Sequence, residues 1–385
     1  MSLVLDEHRQ YLADASRLSA FRQAIEEVVT PGDIVLDLGA GTGILGLMAC
    51  RAGAKRVYAV DEGSIIGLAR NVAEANGFRD RICHIKGLST RVELPERVDV
   101  VLADQIGRFG FESGILEYFQ DARARFLKPG GLMVPDEIGL VVAPVEHQEL
   151  FGQIEFWSRT QGGFDFRAAS SIAANTGYPA RFDSTHLLGA PAQAISLRLL
   201  SASMDALNVE SVLVAARPGT LHGIGGWFEA KLSPRVTLTN SPLAARPIAR
   251  RQVFFPIGHP VALEPRDEIH VQLRIRLAET IVSWTVDVRG PRNGHGPVLA
   301  SKGRFRHSTF QGMLICREDL DRTDLGFVPR LTPWGEARRS VLELCDGRQT
   351  LADIEREVQR RHPALFRSRA EAAAFVTEVV SRYAV

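Results

Sequence analysis

Two carboxylates, Asp104 and Glu112, lie within residues 100–113, just past an apolar run that ends at Ala103. Paired acids in a loop at the end of a buried strand can hold a cationic group between them. A second constellation lies upstream. Asp37 precedes Gly39, Gly41 and Gly43 in Val35-Leu36-Asp37-Leu38-Gly39-Ala40-Gly41-Thr42-Gly43, and Asp61 follows about twenty residues later. Such glycines let a ligand approach the backbone closely. An acid at the end of the next strand can accept both hydroxyls of a ribose. The next glycine is Gly46, which fits the dinucleotide spacing GxGxxG poorly.

These residues need elements to hold them. Residues 5–29 have helical spacing, with Leu12, Leu18, Phe21, Ile25 and Val28 able to share one face. PGDIVLDLGAGTGILGLMACRAGA reads as strand, glycine turn and helix, and RVYAVDEGS as a second strand ending in an acid. IIGLARNVAEANGF is a helix closed by Gly77. ICHIKG and VDVVLAD are strands, and SGILEYFQDARARFLKPGG is a helix ending at Pro129-Gly130-Gly131. Alternating strands and amphipathic helices predict a doubly wound parallel sheet. After residue 140, short strand-like segments separated by turn residues predict an antiparallel barrel or sandwich. From about residue 308 the chain turns helical, with an apolar stripe of Val341, Leu344, Leu351, Ile354 and Val358. The expected domains are therefore 1–140, 141–307 and 308–385.

Composition narrows the class. Lys+Arg 46 against Asp+Glu 45 gives a net charge of +1, which argues against bulk nucleic-acid binding. No stretch reaches the roughly 18 apolar residues of a membrane span, and the charged N-terminus lacks a signal-peptide core. Cys50, Cys83, Cys316 and Cys345 form no CxxC pair. A reduced cytoplasmic protein without a metal site is expected.

VLDLGAGTG with the acid at Asp61 resembles the signature of class I S-adenosylmethionine (SAM) methyltransferases. More closely, residues 8–290 resemble the protein arginine methyltransferases. HRQYLADASRLSAFRQAI is similar to that family's upstream motif, with Tyr11 in place of Met and Phe21 in place of Tyr. The resemblance places His8 and Arg17 over the cofactor, with Arg17 pairing the methionine carboxylate. It puts Asp37, Gly39, Gly41, Gly43, Asp61, Ser89 and Thr90 around the rest of SAM. Asp61 replaces a usual Glu, and Thr90 replaces the usual acid at adenine. GIGGWFEAKL and TNSPLAARPIARRQVFF resemble the family's barrel, and residues 163–190 fall where it has a dimerisation arm, implying a homodimer.

The acceptor site departs from the pattern. The first of the family's two arginine-binding Glu residues is shortened to Asp104. The second aligns with Glu112 or, without a gap, with Ser113. The family's Thr-His-Trp loop lands on Pro247-Ile248-Ala249, and Arg108 adds a positive charge nearby. An impaired clamp for arginine follows, with another nitrogen or a carboxylate oxygen as acceptor.

SVLELCDGRQTLADIEREV resembles the PqqD-like domain, a winged-helix element that binds leader peptides in ribosomal-peptide modification. The matching residues are Leu344-Cys345-Asp346-Gly347 and Thr350-Leu351-Ala352-Asp353-Ile354. That resemblance implies a sheet edge from GMLICRED and GFVPRLTP, and a peptide-facing helix over 370–383. The expected whole is an α/β Rossmann-like methyltransferase followed by an antiparallel β-barrel and a small winged-helix α+β domain. It would methylate a precursor peptide held through its leader, with Asp104 and Glu112 at the acceptor. The alternatives are an ordinary protein arginine N-methyltransferase and a non-catalytic peptide-presenting scaffold.

Overall fold

β1 (Ile34–Leu38) is the centre of the first sheet. Val35, Leu36 and Leu38 are at most 1% exposed, as a strand covered on both faces requires. In the computed structural model, which describes residues 4–291 and 299–384, it is flanked by β2 (Arg56–Asp61) and β4 (Val98–Ala103). With β3 (Ile82–Lys86) and β5 (Leu127–Val134) the order is β3-β2-β1-β4-β5, all parallel. The order reverses between β1 and β4. In open α/β sheets the ligand crevice lies beyond the carboxyl ends of the strands at that point. β1 delivers the glycine turn there and β4 delivers Asp104.

Two local expectations change. The long N-terminal helix is two helices, α1 (Val4–Ala13) and α2 (Ala15–Val28). Asp14 separates them, capping α2 by accepting the Arg17 N–H at 3.0 Å. The helix expected to run through Pro129 instead spans Ile115–Arg125, and Leu127 begins β5. Pro129 has no N–H and cannot continue a helix. Val98 pairs with Leu127 but Val100 with Leu132, so Lys128–Gly131 bulges from the ladder.

The boundary expected at residue 140 falls inside β6 (Glu137–Val145), which is already antiparallel. β6 pairs with Ala192–Arg198 and Gly219–Lys231, and the latter pairs with Gln252–Leu263. A second sheet joins Leu207–Val214, Glu268–Arg276, Ile281–Pro291 and Leu299–Ser308. The expected barrel is thus two antiparallel sheets. Their residues share one core with the parallel sheet, from Phe21 and Leu36 to Phe255 and Trp284.

Residues 163–190 are only partly an arm. Tyr178–Ala180 pairs with Gln252–Phe254, and Phe182 and Leu187 are buried with Trp227 and Phe254. The projecting aromatics lie at its start and just before it, at Phe156, Trp157, Phe164 and Phe166. Phe164 and Phe166 belong to the hairpin 160–165 and the turn after it.

The chain divides into two units, Met1–Met313 and Leu314–Val385. The second unit contains helices Arg317–Asp321, Pro333–Leu344, Leu351–Arg361 and Arg369–Tyr383. Ala337, Val341, Ile354, Val358, Ala372 and Val376 make its core, while Leu351 is exposed. Among the described residues of this unit there is no strand, so the sheet edge expected of GMLICRED and GFVPRLTP is not formed. A short helix and irregular chain occupy those segments. Nor is a helix here long and apolar enough to cross a membrane, among the described residues.

Candidate functional site

The glycine turn after β1 is backbone laid bare. Gly39, Gly41 and Gly43 have φ of 64°, 54° and 80°, a region that L side chains rarely adopt. A Cβ on Gly41 would stand 2.6 Å from the His8 ring, and one on Gly39 would overlap the Gln105 side chain. His8 on α1 and Gln105 beyond β4 therefore close over the turn from two sides.

Asp37 and Asp61 hold the turn from behind. Asp37 is fully buried, and its Oδ2 accepts the Gly46 N–H at 2.9 Å, anchoring α3 (Ile44–Ala52) near its start. Burial pushes its carboxyl up to about 7, and among the described residues Oδ1 has no hydrogen-bond partner. Asp61 accepts the Gly41 N–H at 2.9 Å and the Gly63 N–H at 2.7 Å. A carboxylate has about four lone-pair sites, so capacity remains for hydroxyl donors.

In front of the turn is a cavity of about 650 Å³ lined by α1, the glycine turn, the loop after β4 and residues 248–251. Of the expected cofactor residues, His8, Arg17, Gly39 and Gly41 line it. Asp37, Gly43, Asp61, Ser89 and Thr90 do not. Ser89 is buried, and its carbonyl accepts from Arg125 at 2.7 Å.

Asp104 lines the cavity with its side chain 8% exposed. Arg17 donates to Asp104 through Nε and to the Tyr11 carbonyl through Nη1. Arg250 approaches the same carboxylate at 3.3 and 3.4 Å and donates to the Gly107 carbonyl at 3.2 Å. The expected acceptor acid is thus a carboxylate shared by two guanidiniums.

Glu112 is not aimed at Asp104's partners. Its oxygens accept the N–H groups of Arg108, Phe109 and Phe111 at 2.9 to 3.2 Å. It closes the loop on itself, beside Gly107 at φ 80°. Ser113, the other candidate for this position, is exposed and also lines the cavity.

Three residues that carry this geometry escaped the sequence reading. Arg250 lies one position past the 247–249 loop on which the resemblance stopped. Asn240 is fully buried; its amide donates to the Arg108 and Arg251 carbonyls and its Oδ1 accepts the Phe228 N–H. Asp14, beyond capping α2, accepts the Ala249 N–H at 2.7 Å and ties the N-terminal helices to the antiparallel domain. A solitary Asn or Asp in a polar segment carries no sequence signal of such long-range bonds.

The family model of ribosomal protein L11 methyltransferase matches residues 20–136, and that of the arginine methyltransferase oligomerization subdomain matches residues 136–284. Protein arginine N-methyltransferase 6 of Xenopus laevis is 31% identical over 252 residues, covering 61% of this chain and 73% of the relative. A probable protein arginine N-methyltransferase 6 of Arabidopsis thaliana is 37% identical over 169 residues. That match covers 43% of this chain, which spans only 39% of the relative's length. Among solved structures, Arabidopsis thaliana protein arginine methyltransferase 10 superposes with a TM-score of 0.68 at 22% identity, covering 79% of this chain and 98% of that one. The Trypanosoma brucei PRMT1 enzyme–prozyme complex with AdoHcy gives 0.69 at 21%, covering 78% and 97%. At those identities the structures establish the fold alone.

Proposed function

The chain belongs to the protein arginine N-methyltransferase family, whose members are SAM-dependent methyltransferases, and from that premise we propose that it methylates a guanidinium nitrogen of arginine in a protein or peptide. The observation that supports this most is the position of Asp104, buried beside the bare glycine turn and opposite Arg17.

The residues fit SAM as cofactor. Gly39 and Gly41 offer backbone that a side chain would obstruct. Arg17 uses Nε and Nη1 within the protein, and its Nη2 has no hydrogen-bond partner among the described residues, which suits a terminal carboxylate. Asp61 faces the turn, and with Ser89 and Thr90 after β3 it would hold the nucleoside end. Bound there, SAM supplies an electrophilic methyl on a sulfonium. Asp104 would orient the acceptor guanidinium and stabilise its charge; as the N–C bond forms, the methyl–sulfur bond would break with its electron pair staying on sulfur, and the acceptor nitrogen would give up one proton. Glu112 shapes the loop that carries this geometry. A homodimer through the aromatic projection Phe156–Phe166 belongs to the same reading.

Asp104→Asn keeps an oxygen for Arg17 but removes the negative charge. Turnover should fall by about 100-fold or more, while SAM affinity by calorimetry changes less than tenfold. Turnover equal to the parent chain would remove Asp104 from the acceptor role.

Leader-guided methylation of a precursor peptide is the second reading. It draws on the separate helical unit, where Leu325 and Val328 are 107% and 77% exposed. The strand that a leader peptide would extend is not among the described residues, so arginine methylation without a leader is the preferred reading.

A further inference from the structure

Every carboxylate lining the cavity already has a partner inside the protein. Asp104 lies between Arg17 and Arg250, and Glu112 accepts from its own loop. Asp14 accepts from the Arg17 and Ala249 backbones, and Glu7 accepts from the Tyr11 hydroxyl at 3.0 Å. The lining guanidiniums are placed differently. Arg108, Arg181 and Arg251 are exposed, and Arg181 reaches only the Ala249 carbonyl at 3.1 Å. Among the described residues none of these three forms an ion pair. The uncommitted charge at this cavity is therefore positive, in a chain whose net charge is only +1.

Arg250 sharpens the point. Besides Asp104 and the Gly107 carbonyl, its guanidinium lies 5.9 Å from the Phe228 ring centroid. It holds Asp104 as a substrate guanidinium would. The carboxylate has about four lone-pair sites, and three hydrogen bonds from Arg17 and Arg250 already fall on it. Both of the Arg250 bonds come from Nη2, and a two-pronged guanidinium cannot be added beside them without one of the present partners leaving. Arg17 is the more buried of the two and is tied to α1 through the Tyr11 carbonyl, so Arg250 is the one to yield.

We propose that this acceptor site selects acidic peptides: the acceptor arginine displaces Arg250 from Asp104, and Arg250, Arg108, Arg181 and Arg251 then pair with Asp or Glu side chains flanking it. The proposal rests on the reading of this cavity as the methyl-acceptor site. The exchange keeps the charge on Asp104 constant, but it releases a cation that an anion on the incoming chain can neutralise. A lysine- or arginine-rich peptide would instead bring more cations to a mouth that already has three unpaired ones, an arrangement that rejects by repulsion.

Two labelled peptides of equal length test this, each with one central Arg, flanked by Glu and Asp in one and by Lys in the other. Each is titrated with the full chain and S-adenosylhomocysteine and followed by fluorescence anisotropy. Methyl transfer from labelled SAM is then measured on both. The acidic peptide should bind about tenfold tighter at low salt, with the gap closing at about 0.5 M salt. Arg108→Glu combined with Arg251→Glu should reverse the order. Equal binding, tighter binding of the basic peptide, or a preference unmoved by the double reversal would overturn the proposal. An acidic peptide that binds with this preference but is never methylated would leave the selectivity standing and overturn the arginine-acceptor reading instead.

Discussion

At the scale of single residues, the same type of side chain does different work according to what surrounds it. Asp37, Asp61, Asp104 and Glu112 are four acids within or near one turn and one loop. One is buried without an ion pair among the described residues, one clips two backbone N–H groups, one is shared by two arginines, and one closes its own loop. Asp37 is the acid whose titration is displaced most plainly. Its folded-state value, about 7, lies above the usual carboxylate value of 3.8. An acid raised in this way stabilises the fold below its unfolded pKa, and that contribution is lost as pH rises towards 7. Asp37→Asn keeps an acceptor for the Gly46 N–H and cannot ionise. Thermal melts of the two chains from pH 4 to 8 should show the variant gaining on the parent as pH rises. A constant difference across that range would mean that Asp37 does not take up a proton on folding.

At the scale of elements, capping and turn chemistry decide where each piece ends. Asp14 splits one predicted helix into two and bonds to Ala249 from the same carboxylate. The C-terminal Thr-x-x-Asp spacing has an equally local meaning. Thr350 and Asp353 form a capping box at the start of helix Leu351–Arg361. The second of the two stretches that carry the resemblance to a peptide-binding domain thus has a local explanation in a helix start. The hairpin 160–165 and its flanks are the opposite case, an element whose own contacts are too few. Phe164 is 73% exposed and Trp157 36%. Solitary exposed apolar residues are common on protein surfaces, whereas four neighbouring aromatics are a candidate interaction site. Phe164→Asp with Trp157→Ser should convert the expected dimer to a monomer in sedimentation equilibrium without lowering the melting temperature. A variant of unchanged mass would exclude this projection as the dimer contact.

At the scale of the whole molecule, the break after Met313 separates two cores. The helical unit has its own, built on Val341, Val358 and Val376 with Trp334, Phe366 and Phe375 packed ring to ring. A chain ending at Met313 should therefore keep the cooperative melt of the first unit. Under arginine methylation without a leader it should also keep turnover within about threefold of the full chain. A loss of 100-fold or more on a peptide, with SAM binding unchanged, would return the helical unit to a role in substrate recognition.

The parallel sheet, the glycine turn and the candidate acids at 37, 61, 104 and 112 were legible without coordinates. Strand alternation, the turn's need for bare backbone and the ends of apolar runs are local properties, written in consecutive residues. Tertiary structure alone decided which charges meet. Asp104 and Arg250 are 146 positions apart, and their pairing depends on how the antiparallel domain closes over the end of β4. Asn240 joins the Arg108 carbonyl to the Phe228 N–H through contacts that no periodicity encodes. The same holds for the direction of Glu112, which the family resemblance offered, alongside Ser113, for the acceptor and which the fold turned into its own loop. Local geometry follows from neighbours in the chain; charge pairing follows from neighbours in space.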